Sequence, residues 1–137
     1  MPSPLESRIQ AFLESGPFAV VGASSDREKY GNKVLRCYQQ HGLEVFPINP
    51  RASEIEGLAA YPSLDALPKP VKAISVITPP KITEAVVKEA IQAGVKHIWM
   101  QPGDEHPDAI RAAEAAGLNV IANGPCLLVV LGFRDHA

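Results

Sequence analysis

Small and hydroxyl-bearing residues follow a short apolar run near the start of the chain. The run is residues 18–21, and Gly22, Ala23, Ser24 and Ser25 come directly after it, before a helical pattern opens. The first N–H groups of a helix have no partner inside the helix, and the helix dipole favours negative charge there. The stretch therefore predicts a cradle for a phosphate-bearing ligand, and an ordinary strand-to-helix turn is the competing interpretation.

Gly22 is the residue on which the cradle depends most. Glycine has no Cβ, so the backbone can turn sharply there and a ligand can approach it closely. We expect the backbone N–H groups from Ala23 to Ser25 to face a pyrophosphate. We also expect Gly22→Val to weaken ligand binding without unfolding the domain.

Alternating strand and helix patterns organise the chain around this loop. Strand patterns cover residues 18–21, 43–48, 71–77, 95–100 and 118–122, and helix patterns cover residues 32–41, 83–93 and 107–116. This alternation predicts an α/β fold, a Rossmann-like doubly wound and mainly parallel sheet of five or six strands with helices on both faces. Residues 127–131 fit either a final strand or a helical turn. We expect one domain over residues 1–137.

The N-terminal segment predicts a further helix that packs on the sheet. Ser3 is expected to cap it, with Pro4 at the first helical position. Its apolar residues recur at helical spacing and are Leu5, Ile9, Phe12 and Leu13. Gly16 and Pro17 end the pattern.

The segments after the strands are the most informative about function. In open parallel sheets, ligands bind outside the carboxyl ends of the strands. After the loop at Gly22, these segments are Asn49-Pro50-Arg51, Thr78-Pro79-Pro80, Gln101-Pro102-Gly103 and Asn123-Gly124-Pro125-Cys126. Proline and glycine recur in them, which suggests shaped binding loops, although both residues also simply end strands.

Two features argue against an ordinary nicotinamide dinucleotide site. The next glycine after Gly22 is Gly31, so the G-x-G-x-x-G pattern is absent. The second strand ends at Asn49-Pro50-Arg51, with no acidic residue to take a free ribose hydroxyl. An arginine there suits a phosphate on the ribose, which both NADP and coenzyme A carry.

The sequence resembles the small single-domain CoA-binding proteins of the Rossmann type, related to the N-terminal domain of the succinyl-CoA synthetase alpha subunit. The resemblance rests on Val20-Val21-Gly22-Ala23-Ser24-Ser25, Tyr30-Gly31-Asn32, Val45-Phe46-Pro47-Ile48-Asn49-Pro50, Gly57, Ala60-Tyr61-Pro62-Ser63-Leu64, Trp99-Met100-Gln101-Pro102-Gly103 and Ala116-Gly117-Leu118-Asn119-Val120. Their order and spacing, more than any one motif, make it specific. Residues 123–126 depart from the family, whose small members often carry a charged residue before the cysteine.

The resemblance implies that coenzyme A or an acyl-CoA binds at the carboxyl edge of the sheet. The ligand contacts that we expect are Gly22, Ala23, Ser24, Ser25, Asp26, Arg27, Tyr30, Asn49, Pro50, Arg51, Ile77, Thr78, Pro79, Pro80 and Gln101. The phosphorylated histidine of the synthetase lies in a second domain, so that activity is not carried over to this chain.

Residues that could catalyse a reaction are few and dispersed. Cys126 is the best nucleophile, but it is expected to be a small buried residue. His106 and the pair Asp104 and Glu105 are expected at the surface, and no histidine pair has metal-ligand spacing. We therefore expect a binding or regulatory module without catalysis of its own. An NADP-dependent oxidoreductase-like enzyme is the alternative.

Composition narrows the choice of partners. The net charge of −2 gives no electrostatic reason to expect nucleic acid, and no apolar run is long enough to span a membrane. Cys37 and Cys126 have neither redox-motif nor zinc spacing, so both are expected to be free thiols in a cytoplasmic protein. A protein partner or a homo-oligomer is left open.

Overall fold

A five-stranded parallel sheet forms the centre of the chain in the computed structural model, which describes residues 4–135. The strands in chain order are β1 (Phe18–Val21), β2 (Val45–Ile48), β3 (Glu54–Ile55), β4 (Leu58–Ala59), β5 (Ala73–Val76), β6 (His97–Met100) and β7 (Asn119–Ile121). The sheet has the order β2-β1-β5-β6-β7, and β3 and β4 form a separate antiparallel hairpin. The predicted Rossmann-like α/β fold is confirmed, with five strands in its main sheet.

Helices cover both faces of this sheet. They are α1 (Pro4–Leu13), α2 (Tyr30–Gln40), α3 (Pro80–Gln92), α4 (Pro107–Ala115) and α5 (Leu127–Leu131). Successive strand residues point to opposite faces. Ala19 and Val21 accordingly join the apolar layer that contains α3 and α4, whereas Phe18 and Val20 join the layer of α1, α2 and α5.

The central strands are apolar at nearly every position because both of their faces are covered. Every residue of β1 and β5 is buried. A parallel sheet sandwiched between helices produces such continuous apolar runs instead of the alternation seen in half-exposed sheets. The resulting rigid layer fixes where each strand ends, and it thereby fixes the loops at the carboxyl edge.

Element boundaries differ from the sequence prediction by a few residues. Helix α3 starts at Pro80 instead of residue 83, because proline fits the first helical position, where no N–H donor is needed. Residues 127–131 are helical, which settles the choice left open by periodicity. In α1, Phe12 is fully buried but Leu5 is exposed, so the predicted apolar stripe is wrong at its first position. Ser3, the predicted cap, lies outside the described residues.

The short segment between β2 and β5 returns the chain to the sheet. The hairpin β3–β4 is followed by a single 3-10 turn, Leu64–Ala66. Tyr61 pairs with Ile48 in an isolated parallel bridge beyond the hairpin. This pairing brings the residues that follow Tyr61 to the carboxyl end of β2. Within residues 4–135, no helix has the length and apolar character needed to cross a bilayer.

Candidate functional site

A cleft of about 980 Å³ opens at the carboxyl edge of the sheet. Most of the predicted contact residues line it, namely Gly22, Ala23, Ser24, Tyr30, Asn49, Pro50, Arg51, Ile77, Thr78, Pro79 and Gln101. They come from the loops after β1, β2 and β5 and from the end of β6, as expected for an open parallel sheet. The structure therefore brings the strand-end segments together into one concave site.

Four predicted contact residues do not line the cleft. They are Ser25, Asp26, Arg27 and Pro80. Asp26 closes a local turn, in which its Oδ1 accepts the Glu28 N–H at 3.0 Å. The Arg27 Nε lies 3.4 Å from a carboxylate oxygen of Glu56, and Pro80 opens α3.

Two glycines allow the backbone of the β1–α2 loop, residues 22–29, to pack directly on its neighbours. Gly22 has φ +95°, and a Cβ built on it would lie 2.1 Å from the Ile77 carbonyl oxygen. A Cβ on Gly31 would lie 2.0 Å from the carbonyl oxygen of Gly22. The first role of Gly22 is therefore close packing of β1 on the end of β5, and the expectation that Gly22→Val leaves the fold intact is wrong.

The β1–α2 loop presents only part of the predicted N–H cradle. The N–H groups of Gly22 and Ala23 both donate to the Ile48 carbonyl oxygen, at 3.2 and 3.3 Å. The Ala23 N–H is therefore engaged within the protein, contrary to expectation. Helix α2 starts at Tyr30 without a side-chain cap, so its first turn keeps the partial positive charge of an open N-terminus.

The segment after β2 contributes an asparagine that hydrogen-bonds to the neighbouring loop and an arginine at the rim of the cleft. The Asn49 Nδ2 donates to the Ala23 carbonyl oxygen at 2.9 Å, and its Oδ1 accepts the Arg51 N–H at 2.7 Å. Both polar ends of Asn49 thus hold loops together. Arg51 is exposed and lines the cleft, as does Lys29 on the opposite loop. These two cations favour an anionic ligand.

The end of β6 and the turn after β7 close the inner end of the cleft. Gln101 is buried, its Oε1 accepts the Leu127 N–H at 2.9 Å, and its Nε2 donates to the Cys126 Sγ at 3.4 Å. Trp99 is fully buried, and its Nε1 donates to the Pro125 carbonyl oxygen at 3.0 Å. Cys126 is only partly buried and lines the cleft, so it is not the fully buried residue that the sequence suggested.

Sequence reasoning missed an apolar wall and several polar groups of the cleft. The lining residues outside the prediction are Val21, Lys29, Gly31, Ile48, Pro62, Ser63, Leu64, Ile82, Val86, Glu89, Pro102, Asp104 and Cys126. Ile82 and Val86 stand one helical turn apart on α3, a spacing that also fits an ordinary core-facing stripe. Pro62 to Leu64 come after the β3–β4 hairpin. A prediction that considers only the ends of the sheet strands does not place them at the cleft.

Asp104 is the group of the cleft whose ionisation is most altered. It is partly buried, and its carbonyl oxygen accepts a hydrogen bond from the Thr83 hydroxyl at 2.9 Å. Burial, and after it the neighbouring charge of Glu105, raises the pKa of the Asp104 carboxyl from 3.8 to about 6. The expected surface position is therefore wrong for Asp104, whose carboxylate is partly withdrawn from water.

Asp104→Asn should stabilise the domain at neutral pH. A carboxyl whose pKa is raised by folding stabilises the fold fully only below its unfolded pKa, and this stabilisation is lost as pH rises through the folded pKa. For Asp104 that loss falls between 3.8 and about 6. The gain in Tm on substitution should therefore be larger near about pH 7.5 than near about pH 4, as measured by thermal denaturation. Equal gains at both pH values would contradict this assignment.

A second group of polar side chains lies at the start of α4. The carboxylates of Glu84 and Asp108 and the His106 ring place potential ligand atoms within 4.8 Å of one another. The His106 Nδ1 accepts the N–H groups of Asp108 and Ala109 at 3.2 and 3.3 Å, which makes His106 the helix cap. A neutral imidazole has one acceptor nitrogen. Because the cap uses that lone pair, the ring hydrogen is on the Nε2, which lies 3.8 Å from a Glu84 carboxylate oxygen, and neither ring nitrogen has a lone pair left for a metal ion.

Comparisons with known proteins bear on this cleft. A family model described as a CoA binding domain matches residues 17–132. The chain is 32% identical over 91 residues to the alpha subunit of ADP-forming acetate–CoA ligase II from Pyrococcus furiosus, a match that covers 66% of the chain and 20% of that subunit. The chain thus spans about a fifth of the length of this relative.

Smaller relatives match along nearly their whole length. The uncharacterized protein YneT of Bacillus subtilis is 27% identical over 122 residues, which cover 88% of the chain and 90% of YneT. A solved structure of a conserved hypothetical protein from Pyrococcus furiosus has a TM-score of 0.77 and 44% identity, covering 82% of the chain and 97% of that protein. The same domain therefore occurs both as a small protein and as part of a larger ligase subunit.

Proposed function

Because the chain belongs to the CoA binding domain family, we propose that it binds coenzyme A or an acyl-CoA in the cleft at the carboxyl edge of the sheet. The observation that carries this proposal is the coincidence of the family match with the cleft. The matched residues 17–132 include all of the residues that line it.

The chemistry of the cleft suits such a ligand. Arg51 and Lys29 offer cations to the cleft, and Lys29 directly precedes α2, whose N-terminus has no side-chain cap. The wall formed by Ile82 and Val86 offers apolar surface. A ligand that joins phosphates to a less polar portion would use both, because phosphate needs donors and cations while apolar groups gain by leaving water.

We propose a binding or regulatory role without catalysis. A nucleophile needs an adjacent base, and in the part of the cleft that the structure describes the side-chain partner of Cys126 is the amide of Gln101, which is not a base. The ligase subunit is about five times as long as the matched region, and its activity is not transferred to this chain. In a regulatory role, a protein partner or a second copy of the chain would recognise the ligand-bound form.

The cellular setting is part of the same proposal. Cys37 and Cys126 are both unpaired, which fits a reducing compartment such as the cytoplasm. Burial, with a smaller contribution from Cys126, raises the pKa of the Cys37 thiol to about 11, so this thiol stays protonated and unreactive at neutral pH.

Parallel calorimetric titrations with coenzyme A, acetyl-CoA, NADPH and NAD test the proposal. We expect coenzyme A or acetyl-CoA to bind at one ligand per chain and both nicotinamide dinucleotides to bind more weakly. The missing dinucleotide glycine pattern argues against both NADPH and NAD, and Arg51, which suits a ribose phosphate, argues further against NAD. Tighter binding of NADPH than of either CoA would instead support the oxidoreductase-like alternative.

A further inference from the structure

Charged residues of both signs line the cleft. In the described part of the chain its cations are Lys29, which directly precedes α2, and Arg51, which follows β2. Its acids are Glu89 on α3 and Asp104, which follows β6. The Glu89 Oε1 already accepts the Leu64 N–H at 2.9 Å, whereas the Asp104 carboxylate has no hydrogen-bond or ion-pair partner among the described residues. Asp104 is therefore the unpaired acid of the cleft.

The order of the strands separates the two cations from Asp104. The sheet runs β2-β1-β5-β6, and neighbouring strands lie about 4.8 Å apart. Arg51 follows β2, and Lys29 belongs to the loop after β1. The end of β6 lies two strands beyond β1 and three beyond β2, which corresponds to about 10 Å and about 14 Å. The cleft is therefore cationic beside β2 and β1 and acidic beside β6.

This division of charge determines the direction in which coenzyme A lies. The negative charge of coenzyme A is confined to its nucleotide half, in the pyrophosphate and the 3′-phosphate, and its pantetheine arm is uncharged. Arg51 and Lys29 attract the phosphates, whereas Asp104 repels them. The uncharged arm is then left to extend along the edge of the sheet toward β6. Its terminal thioester is thereby directed toward Asp104.

The β6 end of the cleft offers an acyl group apolar surface but no positive charge. Ile82 is exposed and lines the cleft, and the next residue, Thr83, donates its hydroxyl to the Asp104 carbonyl oxygen at 2.9 Å. An apolar acyl chain leaves water there, whereas a carboxylate would lose hydration without gaining a counter-charge. In the described chain the other lining residues from β6 onward have no cationic side chain, namely Gln101, Pro102 and Cys126.

We propose that the cleft selects acyl-CoAs with an uncharged acyl group, and that Asp104 is the residue that disfavours an acyl group ending in a carboxylate. This inference rests on the proposed function, and it names the class of ligand within it. It requires only that the acyl group come within the range of the Asp104 charge, since electrostatic repulsion needs no direct contact.

The other charged groups around Asp104 do not line the cleft. Those of its own loop and of the neighbouring starts of α3 and α4 are Lys81, Glu84, Glu105, His106 and Asp108. A Glu84 carboxylate oxygen lies 3.8 Å from the His106 Nε2, and the Glu105 Oε1 accepts the Gly103 N–H at 2.8 Å. Asp108 pairs with Arg111. Among the acids of this region, Asp104 is thus the one that lines the cleft.

A matched pair of ligands tests the proposal. Butyryl-CoA and succinyl-CoA have acyl chains of equal length and differ in a terminal carboxylate. At about pH 7.5 we expect the wild-type protein to bind butyryl-CoA about 10-fold more tightly in calorimetric titrations, as for a like charge about 7 Å away in a partly hydrated site. Asp104→Asn keeps the shape of the side chain and removes its charge, so the two Kd values should become nearly equal.

Glu105→Gln is the matched control variant. It removes the same charge from the neighbouring residue, which does not line the cleft, and its amide oxygen can still accept the Gly103 N–H. The ratio of the two Kd values should therefore stay near that of the wild-type protein. An equal loss of preference in Glu105→Gln would show that only the net charge of the loop matters. That result, or a preference that persists in Asp104→Asn, overturns the role of Asp104.

The pH dependence of the ratio supplies a second readout. Burial and the charge of Glu105 raise the pKa of the Asp104 carboxyl to about 6, whereas an exposed carboxyl such as that of a succinyl group titrates near about 4.3. At about pH 5.3 Asp104 is mostly protonated and the ligand carboxylate is still mostly charged, so the wild-type preference should fall to within about twofold. Phosphate ionisation affects both ligands equally and cancels in the ratio. A pH dependence that persists in Asp104→Asn would assign it to His106 and overturn the inference.

Three results separate the failure of this inference from the failure of the proposed function. Tighter binding of succinyl-CoA than of butyryl-CoA would place the acyl group beside the cations and overturn the inference alone. Binding of free coenzyme A but of neither acyl-CoA would also overturn it and leave the proposed function intact. Failure of the wild-type protein to bind any of the three would overturn both.

Discussion

Replacing Gly22 with alanine is expected to destabilise the whole domain rather than only weaken ligand binding. The new Cβ would lie 2.1 Å from the Ile77 carbonyl oxygen, and Ile77 follows β5, the strand beside β1 at the centre of the sheet. The positive φ of +95° adds backbone strain. Strain and overpacking together should cost about 3 kcal/mol or more, which lowers the Tm by about 10 °C.

Gly117→Ala is the matched control for this experiment. Gly117 has φ +82°, but a Cβ built there meets nothing within 4 Å. It therefore carries the backbone strain without the clash, and its substitution should cost about 1 kcal/mol. Thermal and urea denaturation of both variants measures the difference. Equal destabilisation at the two sites would show that the contact with Ile77 relaxes and that Gly22 is only a turn residue.

Gly22 in the β1–α2 loop and Gly31 in the first turn of α2 show which structural features the sequence conveys and which it does not. A glycine after a buried strand correctly indicates a special backbone position, because only glycine adopts such dihedrals easily. The sequence does not tell which neighbour occupies the space beside it. At Gly22 that neighbour is the backbone after β5, more than fifty residues later, and at Gly31 it is Gly22 itself.

The location of the cleft was more predictable than its walls. Apolar runs broken by proline and glycine mark the ends of parallel strands, and the carboxyl edge of such a sheet follows from the topology. Residues that reach the cleft from other segments show no comparable sequence pattern. Leu64 arrives through a short hairpin, and Ile82 belongs to a helix whose stripe equally fits a core. Asn32 lies within a motif that the sequence showed, but its hydrogen bond to Glu56, on a separate hairpin, could not be predicted from that motif.

Arg51 is the residue that we expect to distinguish coenzyme A most directly from dephospho-CoA. It follows β2, where a nucleotide-binding sheet of this type holds the ribose, and its exposed side chain lines the cleft. Its main chain is fixed by Asn49, whose Oδ1 accepts the Arg51 N–H at 2.7 Å. The backbone of Arg51 is therefore held in place, and its exposed side chain can contact a phosphate at the rim of the cleft.

Arg51→Ala should weaken binding of coenzyme A by about one to two decades, because a charge-assisted hydrogen bond to phosphate contributes roughly 1.5–3 kcal/mol. Dephospho-CoA lacks the 3′-phosphate, so its Kd should hardly change. Lys96→Ala, which removes an exposed cation beside the start of β6 at the opposite edge, should affect neither ligand. Added salt should reproduce part of the loss in the wild-type protein, because a pair at the rim is screened. Equal losses for both ligands in calorimetric titrations would place Arg51 on the pyrophosphate instead, and no loss for either would leave it outside the site.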